Sequence, residues 1–248
     1  MTLSLPSLGW DDRFAARYRR HDRPGCRAAR VSWAEPGVCR LLDADGVGRA
    51  SVGGVLLARA AADPAALPCP GDWVVVQEWP DGRSTLEAVL PRHNLLCLAT
   101  AGERPVRIAN LDTVAVVVAP GGAPTPATVA SLRSSGVAGT APVVEVLGAD
   151  ASGLDRLRAL ASVGRTVGLV DDSAPTPSRG AAGKAPRRAA RSLLSALAGV
   201  DLLPARGLLA LPGGGTALLV EFTGGPAAAA PLPVVGRADA RTVARRRA

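Results

Sequence analysis

Aromatic side chains are nearly missing from this chain: four Trp, two Phe and one Tyr among 248 residues. That scarcity excludes a long ladder of base-stacking platforms. Cysteine is almost as rare. Cys26, Cys39, Cys69 and Cys97 contain no C-x-x-C pair, and only His21 and His93 could join them. This argues against zinc. Unpaired thiols of this kind fit a reduced, cytoplasmic setting. No apolar run approaches the roughly twenty residues that span a bilayer. The first residues lack the basic-then-apolar order of a signal peptide. A membrane is therefore not expected as a partner. Acidic residues are also in deficit, with 21 Asp and Glu against 29 Lys and Arg, for a net charge of +8. An excess of that sign favours polyanionic partners through counterion release, or simply clothes a solvated basic surface.

What is present is mostly aliphatic. Hydrophobic residues make up 48% of the sequence, enough for two modest cores in a chain of this length. Residues 1–29 form a polar, basic arm. It carries Arg17, Arg19, Arg20, Arg23 and Arg27, with Asp11 or Asp12 placed to cap a short helix over 13–19. Residues 30–92 read as β structure. Short runs at Arg30–Trp33, Gly37–Leu42, Val47–Val52, Val55–Ala58, Trp73–Gln77 and Ser84–Leu90 are separated by turn signals such as Asp45-Gly46 and Asp81-Gly82. Several short strands on tight turns predict a small oligonucleotide-binding (OB-like) β barrel. Trp33, Trp73 and Trp79 are read there as core or edge packing.

Residues 93–225 change character. His93–Ile108 is a connector of mixed pattern. Leu111–Ala119 and Ala141–Leu147 are continuous apolar runs, as in strands buried on both faces of a parallel sheet. A helix is expected over Thr125–Ser134, and another over 153–162 capped by Ser152. A strand at Thr166–Val170 then leads into a Gly-, Pro- and Ser-rich loop and a helix over Pro186–Ala198. Strands at Leu208–Leu211 and Thr216–Phe222 follow. Residues 226–248 are an Ala/Pro-rich, basic tail.

Strand, glycine loop, lysine and helix is the plan of a phosphate-binding loop, whose backbone N–H groups and helix N-terminus face an anion. Here Gly180, Ala181, Ala182, Gly183, Lys184 and Ala185 fill it. The plan is eroded. Ser178 stands at the first glycine position, and Ala185 lacks the hydroxyl that holds magnesium. Asp171 and Asp172 lie near the strand end, where they would repel a phosphate. An ordinary strand–loop–helix connection is the simpler alternative. Two α/β units precede this loop and too little chain follows to complete a sheet. The segment is therefore expected to be an α/β P-loop-type domain with permuted strand order.

Leu8-Gly9-Trp10-Asp11, Gly71-Asp72-Trp73-Val74, Val89-Leu90-Pro91-Arg92, Ala109-Asn110-Leu111-Asp112-Thr113-Val114, Gly164-Arg165-Thr166-Val167 and Leu211-Pro212-Gly213-Gly214-Gly215 occur in one order. Together they resemble the circularly permuted, small-subunit-dependent GTPases of the RsgA/YjeQ family over roughly residues 5–225. The resemblance implies an OB barrel, a permuted GTPase domain that takes GTP or GDP with Mg, and binding to the small ribosomal subunit and its 16S rRNA. It implies a C-terminal zinc domain as well, but no cysteine lies beyond Cys97. A second register aligns Ser192–Gly199 with the family's post-loop helix, which puts Ala190 at the lysine position. The guanine-reading Asn-Lys-x-Asp is not visible; Asp150 is its only remnant. The family's Asp-Thr-Pro-Gly turn corresponds to Glu221-Phe222-Thr223-Gly224, which leaves Glu221 and Gly224 as site candidates. These departures imply weakened GTP hydrolysis in a monomeric protein. A non-catalytic rRNA-binding module with a degenerate GTPase domain is the alternative.

Overall fold

The computed structural model describes residues 3–98, 106–134, 136–173, 189–199, 207–212 and 214–220. The arm begins with a 3-10 turn at Pro6–Leu8 and continues as α1 (Asp12–Tyr18). Asp11 caps that helix, its Oδ1 accepting from the Phe14 N–H at 2.9 Å. The cap sets the helix so that Phe14 and Leu8 are buried with Trp73 and Leu90 of the barrel. The basic arm is thus anchored by its few apolar residues.

The barrel is built from β1 (Cys26–Glu35), β2 (Val38–Asp43), β3 (Gly46–Val52), α2 (Gly54–Ala62), β4 (Trp73–Glu78) and β5 (Ser84–Val89). Its closed order is β1-β2-β3-β5-β4, with β4 returning to β1. Only the β3–β5 pair is parallel. This is a five-stranded Greek-key barrel of the OB type. Alternation selects its lining. Cys39 and Leu41 of β2, Ala50 and Val52 of β3, and Val74 and Val76 of β4 point inward, and Leu56 of α2 joins the same core.

The Val55–Ala58 run, expected as a strand, is helical. Gly53 precedes the helix in extended geometry and donates its N–H to the Leu86 carbonyl at 2.9 Å. The Leu- and Ala-rich residues that follow are strong helix formers. A short apolar run does not reveal its period, which explains the error.

Beyond the barrel the order is β6 (Asn94–Leu98), β7 (Val106–Ala109), β8 (Thr113–Val118), α3 (Pro126–Ser134), β9 (Gly136–Gly139), β10 (Val143–Gly148), α4 (Ala151–Ser162), β11 (Thr166–Asp171), α5 (Ala189–Ala198), β12 (Leu209–Ala210) and β13 (Thr216–Val220). The supposed connector after Pro91 therefore contains strands. β6 pairs antiparallel with β7 and with β9, and makes a three-stranded sheet. Its partner β9 lies roughly forty residues along the chain, so no local signal marks that pairing.

The main sheet runs β10-β8-β11-β13-β12, parallel except for the short β12. Helices α4 and α5 bury Leu157, Leu160, Leu193, Leu194 and Leu197 on one face, against Ala115, Val117, Val167 and Leu169. The opposite face packs Val114, Val170 and Leu218 with Leu96 and Ile108 of the small sheet. The central strand β11 is flanked by β8 from earlier in the chain and β13 from later. The permuted order expected from the sequence is what the sheet has.

The seam between barrel and sheet uses the residues that carried the resemblance. Asn110 sits at φ 56, a left-handed conformation that asparagine tolerates. Its Oδ1 accepts from the His93 N–H at 2.8 Å, and its Nδ2 donates to the Gly71 carbonyl at 2.9 Å. Asp112 accepts from the Thr166 N–H at 2.8 Å and so ties β8 to the start of β11. Behind them lies Arg30, 1% exposed. It donates to the carbonyls of Leu8, Gly71 and Asn110 and to the Thr216 hydroxyl.

Candidate functional site

The loop after β10, with the first turns of α4 and α5, borders a shallow cleft of about 490 Å³. Ala149, Asp150, Ala151, Leu154, Ala189, Ser192 and Leu193 line it. Open parallel sheets bind ligands in this position, outside the carboxyl ends of their strands. The local sequence explains the walls. β11 ends in Asp171-Asp172-Ser173, and α5 begins with small residues that let its first turn approach the sheet.

Asp171, the last residue of β11, lies beside the cleft and not on its wall. Its Oδ2 accepts from the Ala190 N–H at 3.0 Å, in the first turn of α5. Its Oδ1 accepts from Ser173, at 3.1 Å from the N–H and 2.6 Å from the hydroxyl. An internal carboxylate therefore rests on an amide of the first turn of α5. It satisfies an unpaired helix donor and places negative charge at the positive end of the helix dipole. Asp172 is also engaged, accepting from the Thr125 N–H at 2.5 Å and the Thr125 hydroxyl at 3.0 Å. A phosphate entering here would displace Asp171 and face two carboxylates. Each of these oxygens already accepts a protein hydrogen bond, and Ala185 offers no oxygen in the sequence.

Asp150 stands on the cleft wall as the N-cap of α4. Its Oδ1 accepts from the Gly153 N–H at 3.1 Å and the Ser152 hydroxyl at 2.8 Å. The Ser152 hydroxyl, then the Gly153 N–H, hold its carboxyl below the usual aspartate range. Ser152, expected to cap this helix, is already inside its first turn and supports the true cap. The sequence favoured it because a serine before an apolar stripe is a common start signal, and an aspartate two residues earlier is equally good.

The remaining candidates, Gly180, Ala181, Ala182, Gly183, Lys184, Ala185, Glu221 and Gly224, lie outside the described residues. The structure brings Asp150 and the start of α5 to one cleft. The capping role of Asp171 was missed, although its awkwardness for a phosphate was visible in the sequence. Replacing Asp171 with alanine is expected to lower stability by about 1 kcal/mol, the usual value of a helix cap. The Ala190 amide should then exchange faster with solvent in hydrogen-exchange measurements.

A second charged region lies on the arm. Arg19, Arg20 and Arg23 are exposed there. Arg20 Nε donates to His21 Nε2 at 3.1 Å. Burial first, then the charges of Arg20 and Arg23, press the His21 imidazole below its ordinary value. Among the described residues, no group of three or more His, Cys, Asp or Glu side chains is placed to hold a metal ion, and no helix is long and apolar enough to cross a membrane.

A closed barrel of the OB type precedes a parallel sheet whose central strand is flanked from both directions of the chain, the permuted α/β order expected from the sequence. Sequence comparison carries this further. No protein-family profile matches the chain. The small ribosomal subunit biogenesis GTPase RsgA of Opitutus terrae is 35% identical over 127 residues, covering 46% of this chain and 34% of that protein. RsgA of Streptomyces coelicolor is 32% identical over 118 residues, covering 46% of this chain and 31% of that protein. The chain is similar to these curated RsgA proteins over somewhat less than half of its own length, and the match spans about a third of theirs. Among solved structures, YjeQ from Thermotoga maritima aligns with a TM-score of 0.49 at 18% identity, over 80% of this chain and 76% of that one. The circularly permuted GTPase YloQ aligns with a TM-score of 0.43 at 17% identity, over 81% and 72%.

Proposed function

We propose that this chain is a GTPase-like factor of small-ribosomal-subunit biogenesis. Its barrel and basic arm hold 16S rRNA, and its α/β domain binds guanine nucleotide weakly and hydrolyses GTP slowly. The proposal divides the chain into an arm at 1–29, a barrel at 30–92, a GTPase-derived domain at 93–225 and a basic tail at 226–248. It places a monomer in the cytoplasm, without zinc. Asp171, seated on the first turn of α5, is the observation that carries the weakening. Phosphoryl transfer depends on positioning and on stabilising charge in the transferred group. A fixed carboxylate at the phosphate end of the sheet opposes both. The same observation favours a second reading, in which the domain has no nucleotide chemistry and serves as a scaffold for rRNA binding.

Co-sedimentation with small subunits over a range of salt tests the first part. Association that weakens steeply with salt is expected, because phosphate contacts release counterions. No association even at low salt overturns the proposal. GTP turnover by the subunit-bound protein separates the two readings. Slow turnover above background supports the first; none supports the scaffold.

A further inference from the structure

The outward face of the barrel carries a row that the core does not explain. In the β1–β2–β3 ladder Trp33 stands opposite Arg40, and Arg40 opposite Arg49. Their neighbours Cys39, Leu41 and Ala50 point into the barrel core, so Arg40 and Arg49 point out. Both arginines are exposed, and among the described residues neither has an ion pair or a hydrogen bond. Like charges directly opposite each other across antiparallel strands destabilise the pair, and side chains at such positions come within about 5 Å. Two other arginines of the barrel are neutralised instead. Arg27 is paired with Asp43 and Glu78, and Arg83 with Asp81.

Trp33 starts the row at the seam between the two domains. The carbonyl of the preceding Ser32 accepts from the Leu208 N–H at 2.8 Å, just ahead of β12. The indole is half-buried, and its Nε1 donates to Glu35 at 3.0 Å, which steadies the ring on the surface. A half-exposed ring beside two unneutralised guanidinium groups matches one ligand chemistry: a strand of phosphates about one nucleotide apart with an unstacked base beside them.

We propose that the Trp33–Arg40–Arg49 row is a contact surface for single-stranded RNA, with the two arginines on successive phosphates and the indole under a base. This rests on the reading that the protein binds rRNA, and it adds the face and the strandedness. A duplex keeps its bases stacked inside and could use only the arginines.

Fluorescence anisotropy with a labelled oligouridine, and with the same strand annealed to oligoadenosine, tests the assignment across a salt series. Wild-type protein should bind the single strand more tightly than the duplex. Arg40→Ala and Arg49→Ala should each weaken binding severalfold and flatten the slope of log K against log salt by about 0.7. Arg40→Lys should restore that slope. Trp33→Ala should weaken binding about tenfold and leave the slope unchanged. Arg59→Ala, on the exposed side of α2, should change nothing. If wild type binds the single strand and the Arg40→Ala/Arg49→Ala double variant keeps both affinity and slope, the row is not the contact surface, while rRNA binding stands. Equal or tighter binding of duplex overturns the single-strand assignment. Failure of wild type to bind either probe or small subunits overturns the rRNA reading itself.

Discussion

Replacing Arg30 with alanine is expected to lower the unfolding free energy by about 2–4 kcal/mol, because a buried acceptor left without its donor costs about 1–3 kcal/mol. The side chain is 1% exposed. It satisfies acceptors from three parts of the chain: the arm at Leu8, the barrel-side loop at Gly71, and the sheet domain at Asn110 and Thr216. Alanine would strand the Leu8 and Asn110 carbonyls, while the Gly71 carbonyl keeps Asn110 Nδ2, and would leave a cavity in the seam. No carboxylate touches the guanidinium. Burial pulls its pKa down to about 10, and the more distant Asp112 and Asp72 only partly oppose that. The folded value lies below the unfolded one, so charging Arg30 opposes folding at neutral pH. That cost is relieved as pH rises through about 10. Urea unfolding should show the loss in Arg30→Ala. Arg30→Lys should recover only part of it, because an ammonium cannot span four acceptors. A variant as stable as wild type would mean that the seam does not depend on this side chain.

Asp72→Ala is expected to cost about 3–5 kcal/mol, the range for removing one partner of a buried ion pair. Asp72 is 0% exposed and meets Arg92 in a fork, with Nε to Oδ1 and Nη2 to Oδ2 both at 2.7 Å. Its Oδ2 also accepts from the Cys69 N–H at 2.8 Å. Bidentate pairing of this kind is both strong and geometrically exact in its demands. Arg92 reaches on to the carbonyls of Ala65 and Leu67, so the pair fixes the loop between α2 and β4 against the chain leaving the barrel. Without the carboxylate, a largely buried arginine keeps only neutral acceptors. Thermal unfolding of Asp72→Ala and Arg92→Ala, singly and together, should show strong coupling, with the double variant losing much less than the sum.

Much of the architecture was legible because it is written in local patterns. The barrel strands alternate, the Asp-Gly turns punctuate them, and the valine-rich run at β8 announces a strand covered on both faces. The permuted sheet followed from counting the units on either side of Thr166–Val170. Three things stayed hidden for physical reasons. The Val55–Ala58 run is too short to show its period. β6 and β9 pair across roughly forty residues, so no local signal marks them. Trp33 gives no sign in sequence that it lies half-exposed on an arginine row, because that depends on strand register.

The candidate site was legible in outline and not in chemistry. The strand–loop–helix plan led to the right end of the sheet. Whether Asp171 turned toward α5 or toward solvent was a matter of side-chain geometry. The motif residues Asn110, Asp112 and Asp72 proved to be seam and barrel fasteners.

The account depends most on Asp171 holding the place of an anion at α5. Calorimetric titration of GDP into wild-type protein and into Asp171→Asn tests it directly, since asparagine keeps an acceptor for the helix cap and removes the charge. The account predicts weak or undetectable binding by wild type and a gain of about tenfold or more in the variant. Tight binding by wild type that Asp171→Asn leaves unchanged or weakens would contradict it.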